Sequence, residues 1–348
     1  MKGGITSGVV YPHAICELAR KYRLKNIGGT SAGAIAAAFA AAAEYHRATT
    51  PAFAGGDAGY LRLSRLPSFL AGNSNLFKLF RPESQVKTHF DAVLAVMEIW
   101  KAAGAWRIAL APLRFVRHFL FPFLAGAVVA LLPVAVLLFS SQSNPLHYAL
   151  PALLVGIIVA TLFGLVSTVL YAGWTGHRCL SESRFGFCSG HSSLEPPAGE
   201  PPALTDWLHR EIQALAGLDA RPRSCPLSFG DLAEAGVQLS VMTTDLSQRR
   251  PFELSLSHET ERNGAHNFRG YYFKRSEFSK LFPLDVVETM VEASQSESPS
   301  GAWHDGEELL EWPAMRKVPI VVAARLSLSF PLLLQAVPLY RKDPTLRD

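Results

Sequence analysis

The chain has 348 residues, with 33 Lys and Arg against 29 Asp and Glu for a formal net charge of +4, and 49% of it is hydrophobic. So slight a charge excess, with no Lys/Arg run, excludes a protein that grips nucleic acid by neutralising phosphates, though it suits an anionic lipid surface. The four cysteines, Cys16, Cys179, Cys188 and Cys225, have no CxxC spacing; this excludes a zinc ribbon and a disulfide framework and leaves free thiols in a reducing compartment.

Residues 2–8 read Lys-Gly-Gly-Ile-Thr-Ser-Gly, a Gly-rich loop rather than a secretory signal peptide. A helix is predicted over 9–22, with Val10, Ala14, Ile15, Leu18 and Ala19 at helical spacing. A short connection, 23–26, leads through Ile27 into the turn Gly28-Gly29-Thr30-Ser31-Ala32-Gly33, and an Ala-rich helix is predicted over 34–45. This loop–helix–strand–turn–helix order implies a three-layer α/β unit with a parallel sheet. Residues 49–59 read as a loop. Over 82–106 the positions of Val86, Phe90, Val93, Leu94, Val96, Met97 and Trp100 predict an amphipathic helix with a core-facing side.

Two apolar runs follow, 119–139 and 149–174, neither with a charged residue. Each exceeds the roughly 20 residues that cross a bilayer core as a helix. The connection 140–148 is polar and carries Asn144-Pro145, so the runs are predicted to form a transmembrane hairpin. Lys101, Arg107, Arg114 and Arg117 precede it, and Arg178 and Arg184 follow. The bias of basic residues toward the cytoplasmic face then puts both outer ends, and the rest of the chain, on that side of an integral membrane protein. Beyond the hairpin, 189–203 reads as a linker, 204–216 as a helix with Thr205 as N-cap, and 285–293 as another helix. Strands are predicted over 237–243, 268–273 and 319–323, with 324–330 opening the next helix or loop. The expected organisation is an N-terminal part of the globular domain over 1–110, the hairpin within 111–178, and a C-terminal part over 179–348.

The chemistry centres on Gly29-Thr30-Ser31-Ala32-Gly33. A Gly-x-Ser-x-Gly turn between a strand and a helix is a nucleophile elbow: its tight turn projects the Ser hydroxyl, and the glycines keep Cβ atoms clear. The following helix aims free N–H groups at the place where negative charge develops. Ser31 is thus the candidate nucleophile, Gly29 and Gly33 the elbow glycines. Gly3, Gly4 and Ala32 are candidate oxyanion donors, because acyl transfer needs N–H groups at the tetrahedral oxyanion and a Gly loop brings backbone close. The turn lacks the Lys-Ser/Thr ending of a phosphate-binding loop. No ligand cluster for calcium or another metal is apparent, so no metal and no cofactor are expected.

A Gly-rich loop, a helix and a GxSxG elbow at the N-terminus resemble the patatin-like phospholipase family. Met242-Thr243-Thr244-Asp245-Leu246 with Arg249-Arg250-Pro251 looks like that family's central strand and Thr-Asp-Leu turn, and 323–331, Ala-Ala-Arg-Leu-Ser-Leu-Ser-Phe-Pro, looks like its Ala/Ser-rich helix ending in Phe-Pro. The resemblance spans nearly the whole chain, with the apolar hairpin as an insertion. It implies a three-layer patatin-like sandwich with a mostly parallel sheet and a Ser–Asp dyad that hydrolyses acyl esters of membrane phospholipid or a related lipid. The elbow's position argues against the common α/β-hydrolase, where strands precede the elbow and a late His completes a triad; His13, His46 and His304 lack that context.

The family's dyad Asp precedes a Gly and comes after Phe-Pro. Here the single Asp-Gly, Asp305-Gly306, comes before it, in a polar stretch, 298–308, that reads as a surface loop. Asp305 is the candidate base within the chain, and the expectation is a fragment of a longer reading frame, cut before the first strand and before the dyad Asp. The competing expectation is a membrane-tethered pseudoenzyme that binds lipid or a partner through the same cleft.

Overall fold

The computed structural model describes all residues except 4–9, 51–55, 73–74, 85, 93, 95–110, 141–144, 197, 220–224, 257–269, 298–301, 305, 329–331 and 342–348. The protein is mixed α/β, rich in helix, with small sheets. In chain order its labelled elements are β1 (Lys2–Gly3), α1 (Tyr11–Ala19), β2 (Asn26–Ser31), α2 (Ala32–Thr49), α3 (Ala58–Ala71), α4 (Ala111–His118), α5 (Leu120–Ser140), α6 (Pro145–Glu182) and β3 (Gly186–Cys188). Then come α7 (Leu204–Leu215), α8 (Phe229–Glu234), β4 (Gln238–Asp245), β5 (Arg250–Leu254), β6 (Tyr271–Phe273), α9 (Leu284–Glu297), β7 (Ala302–His304), β8 (Glu307–Glu311), α10 (Ile320–Ser327), β9 (Leu332–Leu334) and β10 (Tyr340–Arg341). Two compact units divide the chain: Met1–Arg81 with Cys188–Asp348, and Pro82–Phe187.

In the first unit one sheet has the order β1-β2-β4-β5. β1 and β4 flank β2 in parallel, and β5 closes the edge antiparallel to β4. Parallel strands need cover on their faces, and α2 supplies it with small residues: Ala34, Ala37, Ala38 and Ala40 through Ala43 are fully buried. Without bulk beyond Cβ the helix lies close to its neighbours. A Cβ on Gly59 of α3 would fall 3.0 Å from Ala43 Cα and 2.6 Å from Leu215 O. Near its end α2 carries Glu44, only 3% exposed, which accepts from Arg47 and from the Tyr60 hydroxyl. Burial pushes that carboxyl up, but these two donors outweigh it and hold Glu44 below the usual range.

A second sheet, β10-β6-β8-β7, is antiparallel throughout. An aromatic cluster of Phe273, Phe278, Phe282 and Trp312 forms beside it, with ring centroids 4.6–6.4 Å apart.

Three predictions need correction here. The run 319–323 is not a strand. Ile320 to Ser327 form one helix, α10, and every residue from Ile320 to Leu326 is buried. A helix buried on all sides loses its 3.6-residue signature, and its β-branched Ile-Val-Val start imitates a strand. Thr205 is not the N-cap of α7: Ala203 holds that place, and the Thr205 amide donates to Gly190 O at 2.6 Å. The preceding segment satisfies the helix start with backbone, so no side-chain cap is needed. Within the stretch 298–308, Ala302–His304 pair antiparallel with β8 rather than forming a plain loop, and 298–301 and 305 lie outside the described residues. The strand predicted over 268–273 is realised at Tyr271–Phe273, and 268–269 lie outside the described residues.

In the second unit the run 119–139 falls on α5 and 149–174 on α6. The two helices pack at small residues: a Cβ on Gly126 would meet Ser167 Cβ at 2.6 Å, and one on Gly164 would meet the Phe123 ring at 2.7 Å. The Ser167 hydroxyl donates across the pair to Pro122 O at 2.8 Å. Small residues and a cross-helix hydroxyl are how apolar helices associate closely. Their outer faces are apolar and exposed, Phe121 at 80% and Leu170 at 68%. Among the described residues one helix, Leu153–Glu182, is long and apolar enough to cross a membrane, and Leu120–Pro133 is a shorter apolar helix. The helix predicted over 82–106 is described only in part, as helical residues 87–92 with Val86 and Ala92 buried; 95–110 lie outside the described residues.

Candidate active site

β2 leaves the sheet at Ser31, and α2 begins at the next residue. Ser31 has φ 55° and ψ −127°, outside the regions a residue with a Cβ adopts without strain; such conformations cost about 1–3 kcal/mol and cluster at functional sites. The flanking glycines are demanded by space. A Cβ on Gly29 would sit 2.0 Å from Gly33 O, and one on Gly33 would sit 2.4 Å from Met1 O. The chain turns so sharply that backbone touches backbone, and the Ser31 side chain is left exposed.

The expected oxyanion donors divide in two. Ala32 is the first residue of α2, so its amide is among the free N–H groups of a helix start. Gly3 ends β1 directly across from Ser31 in the parallel register. Gly4 lies outside the described residues. The sheet's other side is β4, whose Met242 is the register partner of Thr30.

Ser327, the last residue of α10, reaches into this junction. Its Oγ accepts the Ser31 N–H at 2.9 Å and donates to Met242 O at 2.6 Å. One residue before it, Leu326 O accepts the Thr243 hydroxyl at 2.8 Å. One residue further back, Arg325 is wholly buried, and its Nη2 donates to Ser189 O at 3.1 Å and Gln335 O at 2.7 Å. Full burial pushes the guanidinium down to about 10, so it remains charged at neutral pH. Sequence reasoning quoted Ser327 and Arg325 only within the Ala-Arg-x-Ser stretch and assigned neither a role. The available signal was a polar pair at the end of an otherwise apolar run.

Asp305 lies outside the described residues. Its neighbours His304 and Gly306 stand where β7 meets β8, with His304 paired to Glu307 and Gly306 at φ 73°. This is the second sheet, not the one that carries Ser31. Asp245 ends β4 and serves a turn: Oδ1 accepts from the Ser247 and Gln248 amides at 2.8 and 2.9 Å, and the Tyr271 hydroxyl approaches Oδ2 at 3.4 Å. Among the described residues no side chain hydrogen-bonds Ser31 Oγ. His13 is exposed on α1, and His46 is half-buried beside Gly217. No group of three or more potential metal ligands occurs among the described residues.

No protein-family model matches the chain, and no solved structure matches it. A protein of Rhizobium meliloti (strain 1021) named RpoH suppressor is 35% identical over an alignment of 371 residues that takes in 100% of this chain. The chain spans about half of that relative's length, 53%.

Proposed function

We propose that the chain carries the nucleophile of a patatin-like serine hydrolase that cleaves acyl esters of membrane lipid. The observation that carries this reading is Ser31 at φ 55° and ψ −127°, between a parallel strand and a helix start, with backbone pressed against both flanking glycines. Strain of this kind persists only where surrounding structure enforces it. The finer fold reading, a three-layer patatin-like sandwich, is supported by the parallel β1-β2-β4 core and by α2 lying against it.

In this reading Ser31 Oγ attacks the ester carbonyl and passes its proton to a carboxylate base, the Asp of the family's Ser–Asp dyad. The tetrahedral oxyanion is held by amides of Ala32 and of the Gly3–Gly4 loop, a contribution of about 10²–10³ in rate for each donor. The alcohol leaves with the proton from the base, and water then releases the acid from the acyl-enzyme. The apolar faces of α5 and α6 would lie in lipid, and the basic flanks, Arg114 and Arg117 before and Arg178 and Arg184 after, favour a cytoplasmic catalytic part. The name of the Rhizobium meliloti relative states no chemistry and adds nothing for or against hydrolysis.

One observation favours a second reading: no described side chain activates Ser31 Oγ. On that reading the chain is a membrane-tethered pseudoenzyme that binds lipid. A fluorophosphonate probe, which labels only activated serines, separates the two in detergent-solubilised chain. Labelling that is lost in Ser31→Ala is the expected result. An unlabelled but folded chain would favour the pseudoenzyme.

A further inference from the structure

We infer that Ser327 is a positioning residue for the nucleophile, a hydroxyl clamp that holds the elbow in its strained form. The role rests on Ser31 being the nucleophile and extends that reading to a residue outside the expected dyad and oxyanion donors.

The elbow requires Ser31 to keep a backbone geometry that it would otherwise leave. Gly29 and Gly33 permit the turn, but absence of a Cβ only removes an obstacle. Positive restraint comes from hydrogen bonds. Thr30 N–H donates to Met1 O at 3.2 Å on one side, and Ser31 N–H donates to Ser327 Oγ on the other. Because the same Oγ donates to Met242 O, one hydroxyl fixes the nucleophile's amide to the neighbouring strand where β2 departs. A hydroxyl can do this because it accepts and donates at once.

The clamp is itself anchored. Ile320 to Leu326 are buried, Thr243 ties Leu326 to β4, and the buried Arg325 ties α10 to Ser189 and Gln335. Ser327 is therefore presented by the end of a fixed helix rather than by a loop. A second consequence concerns the oxyanion: since the Ser31 amide is engaged by Ser327, it is not free to serve there. Of the expected donors that the structure describes, Ala32 and Gly3 remain for the oxyanion.

The test uses the whole chain in detergent, with Ser327→Ala and Ser327→Thr. Three quantities are read: the second-order rate of fluorophosphonate labelling, hydrogen exchange of the Ser31 amide in a peptide spanning 26–34, and the thermal midpoint. Loss of one hydrogen bond at a strained site should slow labelling by about 10- to 100-fold in Ser327→Ala and speed Ser31 amide exchange by at least about 10-fold. Ser327→Thr, which keeps the hydroxyl, should return both to within about threefold of the parent chain. Labelling and exchange unchanged in Ser327→Ala would overturn the clamp, and so would equal losses in the Ala and Thr variants with matching midpoints. If the parent chain takes no label at all, the hydrolase reading fails by itself. Exchange then decides the clamp: faster exchange in Ser327→Ala alone supports it, and unchanged exchange overturns it.

Discussion

Helices α2 and α6 are both dominated by apolar residues, and they use that character in opposite ways. α2 is built of Ala, and its whole middle is buried. α6 is built of Leu, Val and Ile, and Leu153, Ile158, Leu162, Val169 and Leu170 are each more than half exposed. Side-chain volume accounts for the difference. Ala gains little from leaving water but lets backbone approach backbone, which a helix seated on a parallel sheet at a tight strand-to-helix turn requires. A face of Leu and Ile left open gains much from any non-aqueous surroundings, at about 25 cal/mol per Å². Hydrophobic content alone does not separate the two; the size of the apolar side chains does.

Six variants would break or sharpen this contrast. Ser31→Ala should abolish fluorophosphonate labelling, a loss of at least about 10³-fold, while sedimentation with lipid vesicles stays as in the parent chain. Ser31→Gly should lose labelling equally but gain about 1 kcal/mol in denaturant unfolding, because Gly accepts φ 55° freely. A Ser31→Gly chain less stable than its parent would remove the strain argument.

Glu44→Gln should cost about 3 kcal/mol at neutral pH, since it leaves the Arg47 side chain, 11% exposed, without its charge partner. The pH dependence has a defined sign. The folded-state pKa of Glu44 lies below its unfolded value of about 4.3, so its contribution is present above that pH and fades as pH falls through the folded value. Urea midpoints from pH 7 to pH 3 should therefore fall more steeply for the parent chain than for the Gln variant. Parallel curves would show that this carboxylate does not carry the acid sensitivity.

Ile158→Arg on the open face of α6 should weaken partition into lipid vesicles by about 2–3 kcal/mol if that face meets lipid. Partition equal to the parent's would argue that the face meets something other than hydrocarbon. The smallest effects come from volume. Ala40→Leu, at a fully buried position, should destabilise by about 1–3 kcal/mol through overpacking, whereas Leu162→Ala, at a 56% exposed one, should cost under about 0.5 kcal/mol in detergent. Similar costs at both positions would dissolve the contrast between the helices.

Much of the local structure was legible from residue order. The helices at Tyr11–Ala19, Ala32–Thr49, Leu204–Leu215 and Leu284–Glu297 and the strand Gln238–Asp245 lie where periodicity and composition placed them, within a few residues. The glycines at 29 and 33 could be read as a tight turn because little else tolerates one. What misled the reading was burial from all sides. Ile320–Ser327 shows no polar face, so its β-branched start looked like a strand. Thr205 looked like a cap because sequence cannot show that Gly190 O already occupies the helix start. Ser327 was visible only as one Ser in a small-residue stretch, since the partner that gives it meaning lies 296 positions away.

By itself the sequence determined the elbow and its glycines, the Ala-rich helix behind it and the two apolar runs, because each follows from side-chain size, backbone freedom or spacing within a short segment. Only the tertiary structure decided that Gly3 stands opposite Ser31, that His304 and Gly306 belong with a different sheet, and that Ser327 holds the Ser31 amide. These are long-range pairings, chosen by strand register and helix packing, and no local pattern encodes them.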